Sequence, residues 1–351
     1  MKKFFDRKHR SRLISYLLVI AAYITIEVLM HTIGIKRSFQ NLLVPVCCYI
    51  VAALALNLCV GFSGELSLGH AGFMAIGAFS AVIVSGILSF TIDNGVVRLL
   101  ISIIVGGIVS GVFGLLISIP VLRLQGDYLA IVTLAFGQII KSLINNVYLG
   151  YDYKGLHFSF VNNNVELVLG GKMLLSGAMG ATDTARISNF TAGILLIIFT
   201  LAVVYNLIYS KYGRAIMAAR DNRIAAESIG VSIVNTKTLA FVTSAVLTGM
   251  AGALYALNYS TLQPAKFDFN TSILILVYVV FGGLGNMSGT LIAASVLYVL
   301  PEMLRSLQDF RMLIYAIVLI AIMLITNNAK LKNIFESFKR KLFKKGESFN
   351  G

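Results

Sequence analysis

At 351 residues, 58% hydrophobic and 13% charged, with a mean hydropathy of +0.85, the chain is too apolar for a soluble domain, where about 45–50% apolar and about 25% charged residues are usual. Apolar runs long enough to cross a core of about 30 Å as helices recur from end to end, whereas a membrane barrel would need short alternating strands. The formal charge of +14 does not indicate nucleic acid, because the basic residues gather in two tails and one loop and not on a folded face.

Lys2, Lys3, Arg7, Lys8, Arg10 and Arg12 precede the first apolar run. This imitates a secretion signal, but no small-residue cleavage site follows, so the run is read as an uncleaved first helix. Helices are expected over 13–30, 43–60, 67–90, 97–119, 127–149, 190–209, 237–258, 271–284, 287–304 and 312–326. The expected fold is all-α, a polytopic membrane bundle of about ten helices. Both tails, the 120–126 loop and the 210–237 loop hold most of the 29 lysines and arginines, which orients these segments and both termini toward the cytoplasm and requires an even number of spans. The chain then divides into a basic tail over 1–12, a transmembrane domain over 13–326 and a second basic tail over 327–351, the last lying near anionic lipid. Segment 150–189, with Asn162-Asn163-Asn164 and Gly170-Gly171, reads as an extracytoplasmic loop with little intrinsic order. Cys47, Cys48 and Cys59 have no metal-ligand or disulfide spacing and read as packing residues.

Between the second and third runs lies Gly61-Phe62-Ser63-Gly64-Glu65-Leu66-Ser67-Leu68-Gly69-His70-Ala71-Gly72-Phe73. Small and polar residues at this density in a membrane imply a helix break, a close helix approach or a lined path. Gly61, Ser63, Gly64, Ser67, Gly69 and His70 are therefore candidate path residues, with His70 open between a path role and a hydrogen bond between helices. A helix start here would also have N–H groups to offer a carboxylate. Gly282-x-x-Gly285-x-x-Ser288 echoes Gly61-x-x-Gly64-x-x-Ser67, and paired interruptions point to a transport site, so Gly282 and Gly285 join the candidates. On the fifth helix Asp127, Gln138, Lys141, Asn145 and Tyr148 fall near one face. That stripe lines a path, packs against a neighbouring helix or, at Lys141, snorkels to the interface.

The inner loop at 210–236 has its own pattern, running from Gly213 and Arg214 through Arg220 and Asp221 to Gly230. Asp221 is expected to cap a short helix over 222–229, Glu227 and Arg223 to pair at i, i+4, and Gly230 to end it as the C′ residue. Ala225, Ala226 and Ile229 then form a small apolar face beside Glu227 and Ser228, suited either to docking in a groove of a soluble partner or to resting on the membrane surface.

Three segments, GFSGELSLGHAGFMAIGAF at 61–79, RLQGDYLAIVTLAFGQ at 123–138, and GRAIMAARDNRIAAESIG running into LAFVTSAVLTGMAGALY over 213–255, together resemble the permease subunits of branched-chain amino acid ABC importers, of the LivM type. With Gly282-Gly283-Leu284-Gly285-Asn286 following, the resemblance covers about residues 43–325. It implies a non-enzymatic subunit of the bacterial cell membrane that moves leucine, isoleucine or valine inward by alternating access. It also implies a second homologous permease, two cytoplasmic ATPase subunits seated on the 213–230 loop, and an extracytoplasmic binding protein holding most of the selectivity. No cofactor or metal is implied. The chain carries no phosphate-binding loop, since Gly171-Lys172 is followed by Met173. The alternatives are a urea or short-chain amide permease, an ion-coupled secondary transporter, for which Glu65, Asp127 and Lys141 are too few to assign, and an intramembrane enzyme, for which His9, His31, His70 and His157 are too scattered.

Overall fold

The computed structural model describes residues 2–33, 37–122, 126–152, 155–160 and 171–304, with isolated positions beyond. Helices occupy the expected runs through 287–304. They are α1 (Lys2–Ile33), α2 (Arg37–Asn57), α3 (His70–Leu88), α4 (Gly95–Val121), α5 (Asp127–Asn145), α6 (Phe190–Tyr209), the loop helices α7 (Lys211–Asp221) and α8 (Arg223–Ser228), α9 (Ile233–Ala256), α10 (Phe269–Gly282) and α11 (Met287–Met303). Eight helical segments among the described residues are long and apolar enough to cross a membrane, and α11 is a shorter apolar helix. The chain divides into two units, Met1–Ser295 and Val296–Gly351; the run at 312–326 falls almost wholly outside the described residues.

In the first unit α2, α3 and α9 are mostly buried, while α1, α4 and α5 keep broad apolar faces uncovered. On α4 the division follows the helical period. Leu100, Ile104, Ile108, Leu115 and Ile119 are exposed on one face, and Gly106, Gly107, Ser110, Gly111 and Gly114 are buried on the other. Lipid tails solvate leucine as well as a neighbouring helix does, so association in a bilayer rests on close backbone packing and hydrogen bonds, which small residues permit. A β-carbon at Gly114 would lie 2.7 Å from that of Ala245, and one at Gly249 would lie 2.8 Å from the Gly106 carbonyl. Ser110 reinforces the crossing, its Oγ donating to the carbonyls of Ala245 at 2.8 Å and Phe73 at 3.2 Å. Ser110→Ala is expected to cost about 0.6–1 kcal/mol, read as a fall of a few degrees in thermal unfolding of the detergent-solubilised protein.

Three expectations are corrected. The fifth helix ends at Asn145, because Asn145-Asn146 favours a cap while Val147-Tyr148-Leu149 favours strand; Tyr148 is thus paired with Ser159 and Ser176 in a sheet and leaves the polar stripe. Segment 150–189 is ordered in its described parts, with β1 (Val147–Asp152), β2 (Gly155–Phe160) and β3 (Lys172–Ser176) forming an antiparallel sheet in the order β2-β1-β3. The third helix starts at His70 and not at 67, because 63–69 is irregular and Gly64 takes φ +76°. The ends of α3, α5 and α9 gather near the sheet, where Gly86 meets Leu174 and Ile187 N–H donates to Leu257. The start of α9 and the loop helices lie at the other end, about 36 Å away along the 24 residues of α9.

Candidate functional site

The loop between α6 and α9 is two capped helices in series. Ser210 accepts from Gly213 N–H at 3.2 Å to start α7, leading into Arg214, and Asn222, not Asp221, accepts from Ala225 N–H at 3.0 Å to start α8. Asp221 closes α7 instead, and one residue of shift suffices because Asn caps as well as Asp. Arg223 pairs with Glu227 at 3.1 Å as its spacing required, and Ser228 Oγ donates to Ala225 O at 2.9 Å. Gly230, at φ +84°, ends the helix, with its own N–H on Glu227 O and that of Val231 on Ala226 O.

The apolar face of α8 differs from the expected one. Ala226 is buried against Ala219 and Ile233, so it anchors the loop to its neighbours and presents nothing outward. Ala225 and Ile229 remain exposed, and Ile224, absent from the expected face, joins them; Ile224 and Ile229 are 80% and 76% exposed.

Arg220, near the end of α7, ties this loop to the glycine break. Its guanidinium donates to Gly61 O at 2.8 Å and pairs with Asp221 at 2.8 Å, while its stem packs over Gly64, where a β-carbon would lie 2.7 Å from Arg220 Cγ. The break itself begins as α2 loosens into a π-helical turn, Leu58–Phe62. Ser63 Oγ is buried there with no hydrogen-bond partner among the described residues. Glu65 forms an ion pair with Lys237 on α9. Both ends of the sequence echo meet in space. Asn57, fully buried, accepts from Gly285 N–H at 2.9 Å and donates to Thr290 Oγ1 at 2.8 Å, setting Gly285 against Gly61 while Gly282 packs on Thr290. A turn of backbone inside lipid needs such partners for its polar groups.

Deeper in, Ser67 and His70 continue the break. Ser244 donates to Ala55 O at 2.6 Å, so it accepts from His70 Nε2–H at 2.7 Å, and Ser67 lies 3.1 Å from Nδ1. Both ring nitrogens therefore have partners, joining α2, α3 and α9. Leu68 N–H donates to Thr133 and Ala71 N–H to Ser272, so two of the N–H groups expected to face a ligand are already taken, and Gly69 packs against the Thr133 backbone. On α5, Gln138 donates to Asp268 at 3.2 Å and Lys141 pairs with the same carboxylate at 3.2 Å. Asp268 also accepts from Phe269 N–H and so caps α10. Asn145 sits a turn further on, beside Gly177, and the side chain of Asp127 lies outside the described set. Gln138 and Asp268 border a cleft with Leu68, Ala71 and Ser272 that has no room for a water molecule in this conformation.

The sequence profile of the family described as branched-chain amino acid transport system / permease component matches residues 38–326. The chain belongs to this permease family. LivM of Salmonella typhimurium LT2, a high-affinity branched-chain amino acid transport system permease protein, is 32% identical over 303 residues, 83% of this chain and 69% of that one. The fructose import permease protein FruG of Bifidobacterium longum is 25% identical over 272 residues, covering 74% and 70%. LivH of Escherichia coli K12, also a branched-chain amino acid transport permease, is 22% identical over 263 residues, covering 71% and 79%. No solved structure matches the chain. The LivM type inferred from the motifs is thus supported along most of the length, and the permease is a multi-pass protein of the cell membrane.

Three residues of the permease that bind the site together, Asn57, Lys237 and Asp268, went unread in the sequence, as did the outward-facing Ile224. Asn57 and Asp268 carried a signal, the first as a lone amide in an otherwise apolar run and the second as an acid opening the Phe269-Asn270-Thr271-Ser272 helix start. Lys141→Ala is expected to lower the transport rate by a few-fold with little loss of protein from the membrane. The ion pair is partly exposed and contributes only about 0–1 kcal/mol to stability, and transport per assembled complex separates the two effects.

Proposed function

We propose that this permease is the membrane subunit of an ATP-driven importer that moves leucine, isoleucine or valine into the cytoplasm by alternating access. Hydrolysis takes place in two ATPase subunits docked on the 211–230 loop. A second permease of related sequence completes the pathway, and an extracytoplasmic binding protein delivers the substrate. The observation that carries this reading is Arg220: one side chain joins the loop bearing the exposed Ile224 and Ile229 to the Gly61–Gly64 bend. A partner that closes on α8 thereby moves the bend. It biases one access state over the other to the extent that it contacts the two states differently. The pair of glycine turns at Gly61, buried, and Gly285, half-buried, is the hinge, and the Gln138–Lys141–Asp268 cluster with the adjoining cleft is the part of the path that opens.

The test is purification of the tagged chain from its native membrane, followed by ATPase assays with and without each branched-chain amino acid and its binding protein. Recovery of a second permease and ATPases with leucine-dependent stimulation is the expected result. A complex stimulated only by urea, an amide or fructose keeps the mechanism and changes the cargo. Transport by this chain alone on an ion gradient overturns the reading.

A further inference from the structure

At the sheet end of the bundle a cavity of about 280 Å³ opens between the last turns of α3, strand β3 and the 182–185 segment. Its inner lining is Val82, Leu174 and Leu257, all buried, and Lys172 and Asp183 border it. These two opposite charges are not within 4.0 Å of each other, and neither takes an ion-pair partner among the described residues. Ser85, only 4% exposed, lines the same space, and its hydroxyl has no hydrogen-bond partner among the described residues.

The walls are held firmly. Lys172 is fixed by the pairing of β3 with Tyr151 of β1. Asp183 takes φ +58°, a conformation uncommon outside glycine, between Ala181, bridged to Leu262, and Thr184, whose N–H donates to Ser260 O at 3.0 Å. Two separated charges on pinned backbone, an idle hydroxyl and an apolar floor are the complement of one small molecule with an ammonium group, a carboxylate and an apolar side chain. Lys172 and Asp183 are both exposed at the rim, where a neutral solute would gain nothing from either charge. The volume lies just under the roughly 300–1,000 Å³ usual for small-molecule sites, which suits one compact solute.

We propose that this cavity is a reception site for a single zwitterionic, apolar amino acid, with Lys172 on the carboxylate, Asp183 on the ammonium and the side chain against Val82, Leu174 and Leu257. The choice of leucine as probe rests on the importer reading above. The site lies at the end of α9 remote from the coupling loop, so it holds substrate before the bundle admits it.

The test uses the assembled complex in proteoliposomes carrying Ala185→Cys at the cavity wall. The native Cys47, Cys48 and Cys59 are all buried. Labelling of the introduced thiol by a membrane-impermeant reagent is followed against leucine concentration. Leucine is expected to protect, and Lys172→Gln or Asp183→Asn to raise the half-protecting concentration at least tenfold at unchanged protein level. Leucine that does not protect, equal protection by fructose or urea, or protection unchanged in both variants overturns the proposal. So does an introduced thiol that never labels in a transporting complex. Protection without leucine uptake would instead sink the importer reading and leave the site standing.

Discussion

Arg220→Ala is expected to cut uptake roughly ten- to hundredfold while the complex remains assembled and its ATPases continue to turn over. The side chain makes one charge-assisted bond to a backbone oxygen of the bend and covers Gly64 with its stem. A hydrogen bond to a charged group contributes about 1.5–3 kcal/mol, and a loss of that size in the coupling between loop and bend changes the balance of access states by one to two orders of magnitude. Asp221→Asn provides the comparison. Its pair with Arg220 is exposed, such pairs are worth little, and its effect should be small. Arg220→Lys keeps the charge but loses the fork that reaches Gly61 and Asp221 together, so it should fall between. Uptake and hydrolysis measured per complex decide the matter. A parallel fall in both, with poor assembly, would make Arg220 a brace and not a transmitter, and undiminished uptake would put transmission elsewhere.

Ile229→Asp, alone or with Ile224→Asp, is expected to reduce co-purifying ATPase subunits by more than tenfold and to abolish uptake, with the permease still reaching the membrane in normal amount. Two large aliphatic side chains so exposed, one on a six-residue helix and one at its C-cap, form a patch suited to a partner. An aspartate there is solvated in the free chain and unpaired in the complex, so its cost falls on association and not on folding. Ala226→Asp would give a different result. Ala226 touches Ala219 and Ile233, and an unpaired charge buried among them costs several kcal/mol, so that variant reports on the loop's own fold. If ATPases still assemble on the Ile229→Asp protein, α8 rests on the membrane surface and the docking role belongs to another segment.

What the sequence made legible follows from what lipid demands. A spanning helix must be a long apolar run, so α1 to α6, α9 and α10 could be located from hydropathy alone, with errors of a few residues where caps decide and larger ones at the polar starts of α1 and α2, which hydropathy does not see. The Arg223–Glu227 pair and the Gly230 terminus were readable because both are local. The sheet was not, since its short strands are stabilised by pairing across a segment rich in Asn and Gly. The alternation of Leu156, Phe158 and Phe160 with His157 and Ser159 was the signal available. The burial of Ala226 was foreshadowed by Ala219 and Ile233 standing seven residues to either side. No local pattern foretells Arg220 on Gly61, 159 residues away, or Asp268 as the shared partner of Gln138 and Lys141.

The first helix has a bearing on how the protein is made. Its described contacts run chiefly to α6, with one to α11: Arg12 donates to Tyr205 O at 2.9 Å and lies over the Tyr209 ring, Ser15 meets the Tyr205 hydroxyl and, at 2.8 Å, the Ser288 hydroxyl, and Tyr23 stacks on Phe190. Those partners lie 190 and more residues downstream in the first two cases. A ribosome adding about 5–20 residues per second delivers them roughly 10–40 seconds after α1 has left the tunnel. For that interval α1 must persist in the bilayer as a solitary helix, and its outward Leu13, Leu17, Ile24 and Val28 make lipid an adequate first neighbour. Biogenesis can therefore wait on α6: the segment synthesised earliest is among the last to be seated.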